Sequence, residues 1–138
     1  LLVLPPITAP GYDYRVVNVE VQKQLQGSLL NWHRRMLTCR RLLPALHQGD
    51  FQLLPCSHPG ALAYVRATSE MTVLVAANVS AAGASFSLDL SPWQQQRTRE
   101  VMWGCDFPPA SAEWFVNLPP YGINWWLIGE VEAEISGV

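Results

Sequence analysis

The stretch ALAYVRATSEMTVLVAANV, residues 61–79, decides the fold class of this chain. Each half has the two-residue period of a β-strand, and the polar Thr68-Ser69-Glu70 between them is a turn signal. In the second half, Val73 and Val75 point to one side while Leu74 points to the other. The stretch predicts two neighbouring strands, the second apolar on both faces.

The same two-residue period recurs on both sides of this stretch. Further strands are predicted at FQLL (51–54), SFSLDL (85–90), REVMW (99–103), EWFVNL (113–118) and INWWLI (123–128). Turn signals rich in Pro and Gly separate them. About seven short strands without intervening helices predict a mainly β fold, an antiparallel β-sandwich of Greek-key type. Strands apolar on both faces also predict an additional covering layer, from a helix or another domain.

One amphipathic helix is predicted before the sandwich, over residues 28–43. Ser28 suits the N-cap, because its hydroxyl can accept a hydrogen bond from a first-turn amide. Pro44 disfavours helical backbone at the preceding residue and ends the helix. Apolar or neutral residues recur every three or four positions, at Leu29, Trp32, Met36, Cys39 and Leu43. Earlier in the chain, VVNVEVQ (16–22) has strand-like alternation.

Composition narrows the function classes. The chain has 138 residues and a net charge of −2, with no basic stripe, which argues against nucleic-acid binding. No apolar run approaches the roughly 18 residues of a membrane span. The first residues lack the basic start of a signal peptide and an initiator Met, so we expect a piece of something longer.

The cysteines, Cys39, Cys56 and Cys105, form no CxxC pair, which predicts reduced thiols in a cytoplasmic protein with no metal and no cofactor.

Catalytic patterns are weak. The carboxylates are scattered over turns, strand ends and the tail, where a glycosidase needs a facing pair. Cys56-Ser57-His58-Pro59-Gly60 is a dense cluster, but neighbours in sequence point apart, and we interpret it as a turn. Asn78-Val79-Ser80 matches a glycosylation acceptor, although a turn-closing hydrogen bond from Asn78 is the favoured interpretation.

Tryptophan offers a sugar-binding hypothesis, because an exposed indole face can stack on a pyranose ring. Trp93 follows Ser91-Pro92 in a polar stretch and is the preferred candidate for exposure. The tryptophans of the predicted strands are expected in the core, namely Trp103, Trp114, Trp125 and Trp126.

Two segments together resemble a known family. LPPITAPGYDYRVVNVEVQ (4–22) and SLLNWHRRMLTCRR (28–41) closely resemble the end of the catalytic barrel in trehalose synthases (maltose α-D-glucosyltransferases), a branch of the α-amylase superfamily. The later strands, through LPPYGINWWLI (118–128), resemble the β-sandwich called domain C in the same enzymes. No residue matches the family's Asp nucleophile, Glu acid/base or second Asp, so the resemblance supplies no catalytic residue.

The resemblance implies a domain organisation and a partner. Residues 1–47 would be a leader and the terminal helix of a (β/α)8 barrel, residues 48–130 the C-terminal sandwich, and residues 131–138 a tail. The partner would be the catalytic barrel, or a second copy joined through the exposed apolar face. We expect barrel contacts from Leu29, Trp32, Met36 and Leu43. The alternatives are a carbohydrate-binding module for maltose or an α-glucan through Trp93, and an independent enzyme built around His58.

Overall fold

A computed structural model describes residues 3–130 of the chain. The chain divides into two compact units, with the boundary between Leu37 and Thr38. The predicted tail at residues 131–138 lies outside the described residues. The predicted domain division at residues 47 and 48 stays a prediction.

The described residues form three helices and eight strands. The helices are α1 (Val19–Gln24), α2 (Leu29–Leu42) and α3 (Ala45–Gln48). The strands are β1 (Asp50–Leu54), β2 (Ala61–Ala67), β3 (Thr72–Asn78), β4 (Ala84–Leu88), β5 (Thr98–Glu100), β6 (Asp106–Phe107), β7 (Trp114–Leu118) and β8 (Ile123–Ile128).

The strands of the second unit form two antiparallel sheets. The larger has the order β1-β2-β3-β8-β5-β6, and the smaller pairs β4 with β7. The opening stretch forms the predicted hairpin, in which Ala61 pairs with Asn78 and Ala67 with Thr72. The prediction of a mainly β, antiparallel sandwich is therefore confirmed, with eight strands where about seven were expected.

The main hydrophobic core lies between the two sheets. Trp126 of β8 and Trp114 of β7 meet edge to face there, with ring centroids 5.0 Å apart. Both sheets contribute alternate residues to this main core, which comprises Leu54, Ala63, Val65, Leu74, Ala76, Ala84, Phe86, Leu88, Leu90, Ala110, Trp114, Val116, Leu118, Trp126 and Ile128. Burial of these side chains stabilises the sandwich through the hydrophobic effect.

A second core lies on the opposite face of the larger sheet. The end of α2 and the short α3 cover this face, so the additional layer predicted from β3 is present and helical. We call it the helix-side core, and its buried residues are Cys39, Leu43, Ala45, Leu46, Val73, Val75, Val101 and Leu127. Strand β3 supplies Val73 to this core and Leu74 to the main core, as its double-faced pattern predicts.

One segment with strand-like alternation is helical in the structure, and one predicted strand is shorter than expected. Residues 19–24 are helical, because the side chain of Asn18 accepts a hydrogen bond from the Val21 amide and caps α1. The predicted strand at 99–103 stops at Glu100, whose carboxylate accepts from the Met102 amide at 2.9 Å and the Trp103 amide at 2.6 Å. These two bonds close a turn in place of the strand.

Candidate functional site

The reactive side chains form no catalytic arrangement in the part of the chain that the structure describes. No group of three or more His, Cys, Asp and Glu within residues 3–130 could hold a metal ion. The predicted turn at residues 56–60 is present, and the Gly60 amide donates to Nδ1 of His58 at 3.1 Å. Burial raises the pKa of the Cys56 thiol, although a backbone hydrogen bond from Ala63 opposes the shift. A raised pKa keeps this sulfur protonated and a poor nucleophile.

The predicted barrel-contact residues fall into two groups. In the first unit, Leu29 is 64% exposed and Trp32 is 36% exposed, while Met36 is half-buried. In the second unit, Leu43 has no exposed surface and packs in the helix-side core. Contact with a further partner stays a prediction for Leu29, Trp32 and Met36, whereas Leu43 has no surface left to offer one.

Within the first unit, polar side chains connect the segment that precedes α2 to the start of that helix. The Ser28 hydroxyl accepts from the Asn31 amide at 3.2 Å, as predicted for an N-cap, and donates to the Gln22 carbonyl at 2.6 Å. The Gln22 side chain accepts from the Leu30 amide at 3.0 Å, and Nδ2 of Asn31 donates to the Leu25 carbonyl at 2.9 Å. These residues therefore satisfy free backbone groups at a helix start.

Replacing Ser28 by alanine is expected to destabilise the start of α2 by about 1 kcal/mol, because the Asn31 amide loses its acceptor. Hydrogen exchange should show faster exchange at Asn31. The matched control is Ser85→Ala at an exposed position of β4, which should leave that amide unchanged. Equal exchange rates at Asn31 in both variants would contradict the capping role.

The exposure of two tryptophans differs from the prediction. Trp93 is half-buried and packs against the main core. Trp103, expected in a strand, is 72% exposed, because it lies in the turn closed by Glu100. Trp114 and Trp126 are buried as predicted, and Trp125 is half-buried. Sugar binding at Trp93 stays a prediction, but Trp103 is the more exposed indole.

A short helical turn, Ser91–Trp93, holds Trp93, and Asp89 supports its start. Hydrogen bonds from the Ser91 hydroxyl, and then from the Ser91 amide, lower the pKa of the Asp89 carboxyl. A lowered folded-state pKa means that this stabilisation is present above the unfolded pKa and is lost as pH falls through the folded pKa.

We expect carbon-13 NMR titration to give Asp89 a midpoint below the usual range for aspartate. Ser91→Ala should raise this midpoint, because the larger of the two causes is the hydroxyl hydrogen bond. The backbone hydrogen bond from residue 91 remains in that variant, so the shift should be partial. An unchanged midpoint in Ser91→Ala would show that the hydroxyl does not set this pKa.

The sequence pattern Asn78-Val79-Ser80 is part of the structure of a turn. Asn78 is 2% exposed. Its Nδ2 donates to the carbonyls of Ala82 at 2.7 Å and Pro119 at 2.9 Å, and its Oδ1 accepts from the Ser80 amide and hydroxyl. The turn-closing role predicted for Asn78 is confirmed, since its amide nitrogen is fully engaged.

An exposed apolar surface lies on the helix-covered face of the larger sheet, at its β1 edge. We call it the β1–β2 face, formed by Phe51, Leu53, Leu62 and Tyr64. Phe51 and Leu53 are each 58% exposed and Leu62 is 42% exposed. The rings of Phe51 and Tyr64 pack with centroids 5.1 Å apart. This surface is not among the features predicted from the sequence, although FQLL carries apolar residues in both of its alternating sets.

Comparisons with known proteins agree with these features. The family model for the maltogenic amylase C-terminal domain matches residues 51–125. The chain is 39% identical over 129 residues to the trehalose synthase/amylase TreS of Mycobacterium tuberculosis, covering 91% of this chain and 22% of that protein. It is 35% identical to a trehalose synthase of Thermus thermophilus, covering 97% of this chain and 14% of that protein. It thus spans at most about a quarter of the length of these relatives.

Solved structures share the fold. An isomaltulose synthase from Klebsiella sp. LX3 superposes with a TM-score of 0.67 at 22% identity, over 83% of this chain and 20% of that protein. A trehalose-6-phosphate hydrolase of Bacillus licheniformis superposes with a TM-score of 0.66 at 18% identity, over 85% of this chain and 21% of that protein. The family model and the sequence relatives confirm the resemblance drawn from the leader, the helix and the strands, and the solved structures show the fold that this resemblance implies.

Proposed function

Because the chain belongs to the maltogenic amylase C-terminal domain family, we propose that it is a non-catalytic domain that stabilises the catalytic barrel of a trehalose synthase-like enzyme. The parent activity would be the isomerisation of maltose to trehalose. Such a reaction cleaves and re-forms a glycosidic bond through a covalent glucosyl intermediate, and needs two carboxylates at the reacting carbon. In this proposal the carboxylates belong to the barrel.

The observation that carries the proposal is the apolar surface exposed on α2. Leu29 and Leu37 are 64% and 62% exposed, beside Trp32 at 36%. Burying each such side chain stabilises an assembly by roughly 1.5–3 kcal/mol. Exposed apolar side chains grouped on one helix are typical of a contact surface. The relatives are several times longer than this chain. In the proposal, the partner is the rest of such a longer polypeptide.

Light scattering and hydrophobic-dye fluorescence test this proposal on the 138-residue chain. We expect concentration-dependent association and dye binding, because the barrel that would cover α2 is absent from the preparation. The double variant Leu29→Ser/Leu37→Ser should reduce both signals, whereas Phe115→Ser, at a position that is 72% exposed on β7, should change them little. A compact monomer that binds no dye would overturn the proposal.

An activity assay separates this role from that of an independent enzyme. The chain alone should show no interconversion of maltose and trehalose. Measurable turnover that survives further purification would assign catalysis to the chain itself. His58→Ala should leave this absence of turnover unchanged, because the His58 ring accepts a hydrogen bond within its own turn.

A cytoplasmic location forms part of the proposal. Within the described part of the chain, every helix is too short or too polar to cross a lipid bilayer. Cys56 and Cys105 are free thiols, and Cys105 is exposed. Exposed thiols persist in reducing compartments, which favours the cytoplasm.

Carbohydrate binding is the second candidate function, and the exposure of Trp103 favours it. Its indole is 72% exposed and can offer a stacking face to a sugar ring. Titration with maltose, trehalose and longer glucans, followed by tryptophan fluorescence, would detect binding. Loss of the response in Trp103→Ala would assign it to this residue, and loss in Trp93→Ala would assign it to Trp93. No response at millimolar sugar would leave only the stabilising role.

A further inference from the structure

The outer face of the smaller sheet presents one aromatic ring among polar side chains. Strands β4 and β7 turn one set of alternate residues into the main core and the other set outward. We call the outward set the β4–β7 face, and its members are Ser85, Ser87, Phe115 and Asn117. Phe115 is 72% exposed, and it is the only exposed apolar side chain on these two strands. The face therefore combines an open apolar ring with side chains that form hydrogen bonds.

The register of the two strands places the polar side chains around the ring. Ser87 is directly opposite Phe115, and Ser85 is directly opposite Asn117. Opposite residues of an antiparallel pair have Cβ atoms about 4.5–5.5 Å apart. Alternate residues of one strand lie about 6.8 Å apart. The ring is therefore bordered by one hydroxyl across the ladder, and by a hydroxyl and an amide one step along it.

The polar groups of the β4–β7 face have unused hydrogen-bonding capacity. Within the described part of the chain, the side chains of Ser85, Ser87 and Asn117 make no hydrogen bond. By contrast, the Asn78 side chain donates to two carbonyls and accepts two further bonds. A serine hydroxyl and a primary amide each donate and accept. These three side chains are therefore open to the hydroxyl groups of a ligand.

We infer that the β4–β7 face binds a neutral pyranose ring of an oligosaccharide, which stacks on Phe115. A pyranose ring has an apolar face of C–H groups and a rim of hydroxyl groups. An aromatic ring provides the apolar contact for the first, and a few placed polar groups fix the orientation through the second. Ser87 and Asn117 supply those groups beside the ring. This site lies apart from Trp93 and Trp103 in the sequence, and the inference goes beyond the proposed stabilising role.

Charge favours a neutral sugar over a phosphorylated one. The four side chains of the face are uncharged, and neither strand contains Lys or Arg. Asp89 directly follows β4, Glu113 directly precedes β7, and both are exposed. A phosphate group near this end of the face would meet like charges, which repel it. The ligand class is therefore an uncharged sugar.

The size and position of the face distinguish this occupant from a protein partner. A stable interface between proteins involves about 20–30 residues on each side, and four side chains fall far short of that. The helix-side core lies on the opposite side of the larger sheet. The β4–β7 face is thus on the far side of the sandwich from residues 38–48. In the proposed function the barrel contact is made by α2, so this face stays open to a soluble ligand.

NMR titration with maltohexaose tests the inference on the 138-residue chain. The Leu29→Ser/Leu37→Ser background limits association through α2. We expect a dissociation constant of about 1 mM, because one ring and a few exposed hydrogen bonds hold the sugar. Amide shifts should be centred on Ser87 and Phe115. Nuclear Overhauser effects between the Phe115 ring protons and the carbon-bound protons of the sugar should show the stacking with native side chains at the site.

Substitutions separate the ring from its polar border. Phe115→Ala should weaken binding at least about tenfold, because the stacking face is lost. Ser87→Ala and Asn117→Ala should each weaken it about two- to tenfold, as expected for one lost hydrogen bond. Phe51→Ala is the matched control, since that ring is 58% exposed on β1 among apolar neighbours. It should leave the dissociation constant unchanged, and unaltered urea unfolding of each variant would show that the fold is intact.

The remaining outcomes each overturn the inference. These are the absence of any shift at tenfold the expected dissociation constant, and tighter binding of glucose 6-phosphate than of glucose. Loss of binding in Trp103→Ala but not in Phe115→Ala would assign the sugar to Trp103. Shifts at Phe115 that follow protein concentration instead of sugar would assign the face to a second copy. None of these results bears on the stabilising role, which light scattering and dye binding test separately.

Discussion

Replacing Asn78 by aspartate is expected to destabilise the sandwich by about 2 kcal/mol or more, although the two side chains have nearly the same shape. Nδ2 of Asn78 donates to the carbonyls of Ala82 and Pro119 in a site that is 2% exposed. An oxygen in its place cannot donate, so both carbonyls lose this donor, although Ala82 can still accept from the Ser80 hydroxyl and Pro119 from the Gly122 amide. Each lost hydrogen bond costs about 0.5–1.5 kcal/mol, and a buried negative charge facing two carbonyls adds to this cost.

Urea unfolding at neutral pH measures the effect, and Asn117→Asp is the matched control. Asn117 is exposed on β7, so the same chemical change there should alter the free energy of unfolding by less than about 0.5 kcal/mol. The deficit of Asn78→Asp should shrink as the pH is lowered. Burial raises the pKa of the introduced carboxyl, and its protonated form can again donate one hydrogen bond. Equal unfolding energies for the two variants would show that the Asn78 network contributes little.

The sequence predicts the hairpin of residues 61–79 and its two apolar faces because alternation reports directly on burial. Val73 lies in the helix-side core and Leu74 lies in the main core, as their alternation requires. The start of α2 is also predictable, since the cap at Ser28 is a local interaction between residues three positions apart. These features depend on neighbours in sequence, and the pattern of neighbours is what a sequence displays.

Features that depend on contacts between residues far apart in the chain cannot be predicted from local sequence patterns. The strand β6 is too short for a period, and it exists because Phe107 pairs with Thr98 while Arg97 binds Asp106 at 2.7 Å. Trp103 has the same apolar character as the core tryptophans, but the carboxylate of Glu100 ends the strand before it.

The predicted contact surface shows the same limit. Helical periodicity places Leu43 with Leu29, yet it cannot tell which partner each side chain meets. The structure assigns Leu43 to the helix-side core and leaves Leu29 exposed. Likewise, FQLL is apolar on both faces whether or not the chain itself covers them. Only the position of β1 at the sheet edge shows that Phe51 and Leu53 stay open.

The centre of the main core offers the second large effect. Trp126→Ala is expected to cost about 3–5 kcal/mol, because the surrounding side chains cannot close the space left by an indole. Trp126 is 1% exposed and touches Trp114 and Phe107, with ring centroids 5.0 Å and 5.6 Å away. Trp103→Ala removes the same atoms from a position that is 72% exposed, and should cost less than about 0.5 kcal/mol.

Substitution by phenylalanine separates packing from hydrogen bonding at this centre. Nε1 of Trp114 donates to the Pro108 carbonyl at 2.9 Å, whereas Nε1 of Trp126 has no acceptor among residues 3–130. Trp114→Phe should therefore cost about 1 kcal/mol more than Trp126→Phe in urea unfolding, although both side chains are almost fully buried. If the order were reversed, ring packing around Trp126 would outweigh the hydrogen bond of Trp114. The stability of the core would then depend on how the three rings fit together.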